Sequence, residues 1–312
     1  MHSDEVQTDP TLVRRLVATQ FPSWADLPIE PVEPRGTDNT LYRLGDQLVV
    51  RLPCRERTVN TLVKEREWLP RLAPHLPLDV PMPLAVGTPA DGYPWTWSVY
   101  RWLEGENAIE ARIGDLDRAS TDLASFVGAL HRIDTSGGPS PGEDNFLRGA
   151  RLERLDSSVR ASIVALGHEV DVDTATAIWE AALSAAEWNL PPVWVHGDLD
   201  GRNLLVSAGR LSAVVDFGCL GVGDPACDVA VAWKVLSTET HDIFRSALSV
   251  DDATWARARG WVLYESLGAL TYYTLETNPI LVTEARRWLG DLLAGVGHDA
   301  GLLDFSVGPP DC

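Results

Sequence analysis

The chain has 312 residues, with 45 Asp and Glu against 26 Lys and Arg, which gives a formal charge of −19. Hydrophobic residues make up 45% and charged residues 23%, the mix of an ordinary globular protein, which excludes disordered, collagenous and low-complexity classes. So acidic a surface repels phosphate backbones and anionic lipid, which argues against nucleic acid and membranes as partners, and the length suits two lobes.

The amino end, MHSDEVQTDP, has neither a basic region nor an apolar run, and no stretch of about 18 apolar residues suggests a membrane span. Cys54, Cys219, Cys227 and Cys312 show no metal-ligand spacing and are too scattered for a disulfide framework, so the expected home is a reducing cytoplasm. The first predicted element is a helix from Thr8 to Phe21, with Pro10 in its first turn and Leu12, Val13, Leu16 and Val17 on one face. Pro28, Pro31 and Pro34 then break the chain. Thr40–Leu44 and Leu48–Leu52 read as strands joined by a Gly45-Asp46 turn, followed by a charged helix over Thr58–Leu72. Pro83–Gly87 and Thr96–Trp102 read as a second strand pair, and Leu103–Glu106 as a connector.

The remainder is mainly helical. Leu116, Leu123, Val127 and Leu130 share a face, and Thr174–Trp188 forms a second helix. Val193–Val195 and Leu211–Val215 are strands, with Asn203–Val206 pairing to the latter across Ser207–Arg210. Pro225–Leu293 has a helical pattern, and the Gly- and Pro-rich tail Asp299–Cys312 is expected to be loosely held. Twelve tryptophans suggest packing, with an aromatic wall for a ligand as the sharper alternative.

The informative segment is VWVHGDLDGRNLLVSAGRLSAVVDFG, Val193 to Gly218. An apolar strand delivers His196, Gly197 and Asp198 onto a loop, Asn203 follows five residues on, and Asp216 thirteen after that. The intervening strand-turn-strand folds Asn203 and Asp216 back toward each other. This set suits phosphoryl transfer: Asp216 offers hard oxygens to Mg²⁺, Asn203 adds a neutral oxygen, and Asp198 is left to accept a hydroxyl proton.

The spacings match the kinase pattern H-R-D-x-x-x-x-N followed by D-F-G, with Gly197 in place of the arginine. That form, with GDPACD at Gly223–Asp228, resembles the aminoglycoside phosphotransferase and choline-kinase-like family from about Gly36 to Leu293. The resemblance implies an α+β, two-lobed protein-kinase-like fold: residues 1–102 as a nucleotide-binding lobe of antiparallel strands with one inserted helix, and 103–312 as a larger catalytic and substrate lobe. It implies Mg²⁺ with ATP or GTP, and Gly36 and Asn39 in a loop over the phosphates. Arg51 falls where the family has a phosphate-binding lysine, with Glu65 as its ion-pair partner and Glu67 as the alternative. Arg101 and Leu103 of the connector would meet the nucleotide base through backbone groups, with Tyr100 behind. His196 and Asp228 would brace the catalytic loop, His131 would be structural, and Asp224 would cap a helix or brace a loop.

The implied activity is a small-molecule kinase acting on an aminoglycoside-like hydroxyl. A macrolide, choline or amino-alcohol kinase and a non-catalytic nucleotide-binding module are the alternatives. Glu180, Glu187, Asp251, Asp252, Glu265 and Glu276 are carboxylates available to a polyamine acceptor, while the tryptophans suit a bulkier apolar one.

Overall fold

The computed structural model describes residues 6–33 and 38–299. Helix α1 (Pro10–Gln20) begins where the Asp9 carboxylate accepts from Leu12 N–H at 2.7 Å, and it buries Val13, Leu16 and Val17. Strands β1 (Ile29–Pro31), β2 (Asn39–Leu44), β3 (Leu48–Pro53), β4 (Pro83–Gly87) and β5 (Trp97–Arg101) form one antiparallel sheet in the order β1-β2-β3-β5-β4. Gly45, at φ +59°, makes the β2–β3 turn. The short β1 was not evident from sequence: it lies at the sheet edge, where flanking prolines are tolerated. Helix α2 (Val59–Leu72) is inserted after β3.

The chain then enters a mainly helical part. Strand β6 (Glu106–Asn107) precedes α3 (Leu116–His131), α4 (Asp156–Ala165) and α5 (Val172–Ser184). Strands β7 (Val193–Val195), β8 (Leu204–Ser207), β9 (Arg210–Val214) and β10 (Gly221–Gly223) carry the motif segment. β7 pairs with β10, while β6, β8 and β9 form a small sheet. Helices α6 (Ala226–Val229), α7 (Val231–Val235), α8 (His241–Leu248), α9 (Asp252–Tyr272) and α10 (Pro279–Asp299) complete the described chain.

Several boundaries differ from expectation. The helix expected over Thr174–Trp188 runs from Val172 to Ser184, because Asp171 caps it and Ala185 turns extended ahead of Pro191 and Pro192. The helical stretch from Pro225 is five helices, interrupted around Ser237, at Ser249 (φ +57°) and over 273–278.

Two apolar cores result. One packs α1 against the five-stranded sheet through Leu16, Tyr42, Val50, Trp97 and Val99. The larger one surrounds α9, with Trp179, Trp194, Trp261 and Trp288 buried in it. Trp68, Leu69 and Leu72 of α2 join this larger core, and Trp68 lies 4.7 Å from Trp194 between ring centroids. The tryptophans are therefore mostly packing residues. The larger core holds β7 and α6 rigid, and those two elements carry the motif.

Candidate active site

The loop after β7 is fixed from behind. His196 is fully buried, with its ring 4.5 Å from Phe217. Its Nε2 lies 3.0 Å from Val215 O, and its Nδ1 accepts from Asp198 N–H at 3.2 Å, so the proton resides on Nε2. Asp228, fully buried at the start of α6, accepts from the N–H groups of His196 and Gly197, each at 2.8 Å. His131 lies 3.9 Å from Asp228. Asp224 accepts from Ala226 N–H at 2.9 Å, in the first turn of α6, and holds Arg257 Nε of α9 at 2.7 Å.

Gly197 adopts φ +81°, and a Cβ there would lie 2.8 Å from both Arg148 Cβ and Cys219 O. The Arg148 side chain occupies the space a residue-197 side chain would need. Here Gly197 departs from the protein-kinase arginine for a steric reason.

Asn203 Nδ2 donates to the Asp198 carbonyl at 2.8 Å and to Asp198 Oδ2 at 3.1 Å. Val215 N–H donates to Asn203 O at 2.9 Å, which brings Asn203 beside the residue preceding Asp216. Asp216 takes the left-handed conformation at φ +59°, and its side chain is 51% exposed. Backbone strain of this kind is kept only where the surroundings enforce it.

Burial would raise the Asp198 carboxyl above its usual range, but Arg202, Arg148 and Lys234 outweigh it and hold the group below that range. Arg202 approaches Asp198 to 3.9 Å and is itself gripped by Asp200 at 2.5 Å. Lys234 is ion-paired with Glu265, whose other oxygen lies 2.9 Å from Arg148 Nη1, and the Arg148 guanidinium sits 5.6 Å from the Tyr264 ring. Sequence reasoning passed over Arg148, Arg202 and Lys234. The signal for Lys234 was a lone lysine in the apolar run VAVAWKVL.

An Asp198 carboxylate held ionised by neighbouring cations must gain a proton more readily once one is removed. Arg202→Gln is expected to move the acidic limb of the kcat/KM–pH profile toward neutrality by about one pH unit. A limb that stays in place would show that Arg202 does not set the charge of Asp198.

The sheet side presents Arg51 from β3. Its Nη1 meets Glu65 Oε1 at 2.9 Å and Oε2 at 2.8 Å, and its Nη2 meets Asp216 Oδ1 at 3.0 Å. Glu65 is fully buried and also accepts from Tyr100 O–H at 3.0 Å. Burial pushes the Glu65 carboxyl above its ordinary range, against the pull of Arg51. Glu67, the alternative partner, faces Arg71 at 3.9 Å on the surface. The hydrogen-bond network turns the Asn39 carboxamide oxygen toward Arg51, 2.9 Å from Nη2 and 3.2 Å from Nε. Gly36 lies outside the described residues. Arg101 N–H is donated to Met82 O at 3.2 Å, so it is not available to a base; Leu103 lies past the last ladder bond, from Trp102 N–H to Gln47 O at 2.8 Å.

The donor set fits Mg²⁺. With Nδ2 engaged by Asp198, Asn203 keeps Oδ1 as its ligand atom, and half-exposed Asp216 offers a carboxylate. Two side-chain ligands leave the other positions of such an ion to phosphate oxygens and water.

The chain has relatives among known proteins. The chain is 36% identical over 123 residues to an aminoglycoside 3'-phosphotransferase of Escherichia coli, a match covering 36% of this chain and 42% of that protein. The matched segment thus spans less than half of the curated relative. In solved structures the same fold occurs in the GDP complex of aminoglycoside 2'-phosphotransferase-IIIa, with a TM-score of 0.70, 18% identity, and coverage of 93% of this chain and 100% of that one. It occurs also in macrolide 2'-phosphotransferase MphH of Brachybacterium faecium, with a TM-score of 0.60, 21% identity, and coverage of 96% and 99%. The model of the phosphotransferase enzyme family matches residues 29–261, a span that carries Arg51, Glu65, Asp198, Asn203, Asp216 and Asp228, and the chain belongs to that family.

Proposed function

We propose that the protein is a small-molecule kinase that transfers the γ-phosphoryl group of ATP or GTP to a hydroxyl acceptor. The observation that carries this reading is Asp198, held ionised by three cations and gripped by Asn203, on the loop that faces Asp216 and Arg51. Residues 1–102 would serve as the nucleotide lobe, with Leu103 at the base, and residues 103–312 as the catalytic and acceptor lobe. Asp198 accepts the acceptor's hydroxyl proton at a carboxylate oxygen and aims the alcohol, while Asn203 keeps that carboxylate from rotating. Asp216 and Asn203 would hold Mg²⁺, which supplies neutralisation of charge on the phosphoryl oxygens. Glu65 fixes Arg51 beneath them. No helix among the described residues is long and apolar enough to cross a membrane; Cys54, Cys219 and Cys227 are in no disulfide, which fits a reducing, cytoplasmic setting.

A second reading of the acceptor has an observation in its favour. The carboxylates that composition offered to a polyamine are largely occupied. Glu180 pairs with Arg160 at 2.7 Å, Glu187 with Arg151, Asp252 with Arg245, and Glu265 with Lys234, while Asp251 caps Thr254 at 2.6 Å. Paired in this way the carboxylates present less net charge to a cation, firmly at buried Glu265 and weakly at the exposed pairs, which favours an acceptor with few amino groups, as a macrolide has, over a polycationic aminoglycoside.

The test is nucleoside-diphosphate release from ATP and GTP in the presence of aminoglycosides, macrolides, choline and amino alcohols, with product mass confirming the added phosphate. Acceptor-stimulated release supports the reading. Tight nucleotide binding without stimulation by any compound favours the non-catalytic module. In the same preparation, Asp216→Ala is expected to weaken Mg²⁺-dependent nucleotide binding at least about tenfold; equal affinity would remove Asp216 from the metal site.

A further inference from the structure

A guanidinium has five N–H donors in a rigid fork and no acceptor. In Arg51 each of the three nitrogens has a protein partner. Nη1 faces the two Glu65 oxygens at 2.9 and 2.8 Å. Nη2 faces Asp216 Oδ1 at 3.0 Å and the Asn39 oxygen at 2.9 Å, and Nε faces the same Asn39 oxygen at 3.2 Å. No nitrogen of the fork is given over to a phosphate oxygen alone. The partners differ in how firmly they are held. Glu65 is fully buried and anchored by Tyr100, and Asn39 is buried in β2. Asp216 is half exposed, so its bond to Arg51 is the one that can open.

Resting on the reading of Asp216 as a metal ligand, we infer that Arg51 is a latch on that ligand, with Asn39 as its positioning residue. Arg51 and Mg²⁺ compete for the Asp216 carboxylate, so that loading of Mg²⁺ with nucleotide would displace the guanidinium. Two cations brought against one carboxylate repel each other strongly. The apparent Mg²⁺ affinity is therefore lowered by the fraction of molecules in which the latch is shut. Asn39 fixes the outer edge of the fork, so the guanidinium cannot swing away from Asp216 while Glu65 holds its inner edge. A lysine in this place keeps the buried pair with Glu65 but has one compact head and no second arm for Asn39 to hold.

The experiment titrates Mg²⁺ at a fixed concentration of a non-hydrolysable ATP or GTP analogue and follows binding by calorimetry, with a ligand-free thermal melt as the check on folding. Arg51→Lys is expected to lower the half-saturating Mg²⁺ concentration about tenfold. Asn39→Ala, which leaves the Arg51–Glu65 pair in place, is expected to lower it less, in the same direction, and carries the test if the first variant melts early. An unchanged or raised Mg²⁺ requirement in a folded variant overturns the latch and returns both residues to direct phosphate binding. Asp216→Ala is run in parallel. If it leaves the Mg²⁺ dependence of binding intact, the metal reading itself fails; if it abolishes that dependence while Arg51→Lys shifts nothing, only the latch fails.

Discussion

Asp198→Asn is expected to lower kcat by roughly 10²–10⁴-fold, the usual worth of a general base, with nucleotide affinity changed by no more than about threefold. The asparagine keeps the shape of the side chain and an oxygen for Asn203 Nδ2, now 3.1 Å from Asp198 Oδ2. What it removes is the negative charge proposed to take the hydroxyl proton. Arg202, Arg148 and Lys234 surround that charge, so the variant also leaves an excess of positive charge under the acceptor. In the proposed function nucleotide affinity is set elsewhere, by Asp216, Asn203 and the sheet, and for that reason it should hold. Steady-state turnover together with calorimetric nucleotide binding separates the two quantities. Undiminished kcat would remove Asp198 from its role. A parallel collapse of nucleotide affinity would mean that the substitution disturbs the metal site rather than the base.

Asp228→Ala is expected to destabilise the fold by about 3 kcal/mol, with a fall in melting temperature of roughly 5–10 °C. The carboxylate is fully buried and accepts from two consecutive backbone N–H groups, His196 and Gly197, at 2.8 Å each. Alanine leaves both donors buried without a partner. Asp228→Asn should recover only part of the loss, because an amide presents one oxygen, and its NH₂ then confronts the other N–H. Thermal melts of the two variants against wild type give the ranking. Equal stability of all three would show that water replaces the carboxylate and that the loop is not braced from α6.

The residues nearest the chemistry were the most legible in sequence, because their spacing is fixed by bonds that admit little variation. Asn203 must stand five residues after Asp198 for its Nδ2 to reach back to the Asp198 carbonyl, and Asp216 must end a strand that returns beside Asn203. Glu65 was legible for a different reason. It lies on the inward face of an amphipathic helix, whereas Glu67 faces out to Arg71. The less legible residues act through contacts between distant segments. Arg148 meets Gly197 across 49 positions, by subtraction of those numbers, and no local pattern announces it. Lys234 and Glu265 pair between α7 and α9; a lysine in an apolar run stands out, but nothing local names its partner. Strands β1, β6 and β10 have two or three residues each, too few for an alternation to register. The helix break at Ser249 carries no proline or glycine, so composition did not mark it, whereas the one over 273–278 ends at Pro279, the first residue of α10.

Gly197 and Arg148 compete for one volume. The absent side chain of the first is the room taken by the second, with 2.8 Å between the Arg148 Cβ and the place a Cβ at 197 would occupy. The two positions are therefore bound to each other in any history of substitution. A side chain cannot be gained at 197 until 148 has given up its own, and the loss of Arg148 alone opens a hole beside the loop and strips Asp198 of one of its cations. The order of changes matters, and each intermediate is worse than either end. A chain with arginine at 197 is thus not one step from this one but two, with the unfavourable step in between.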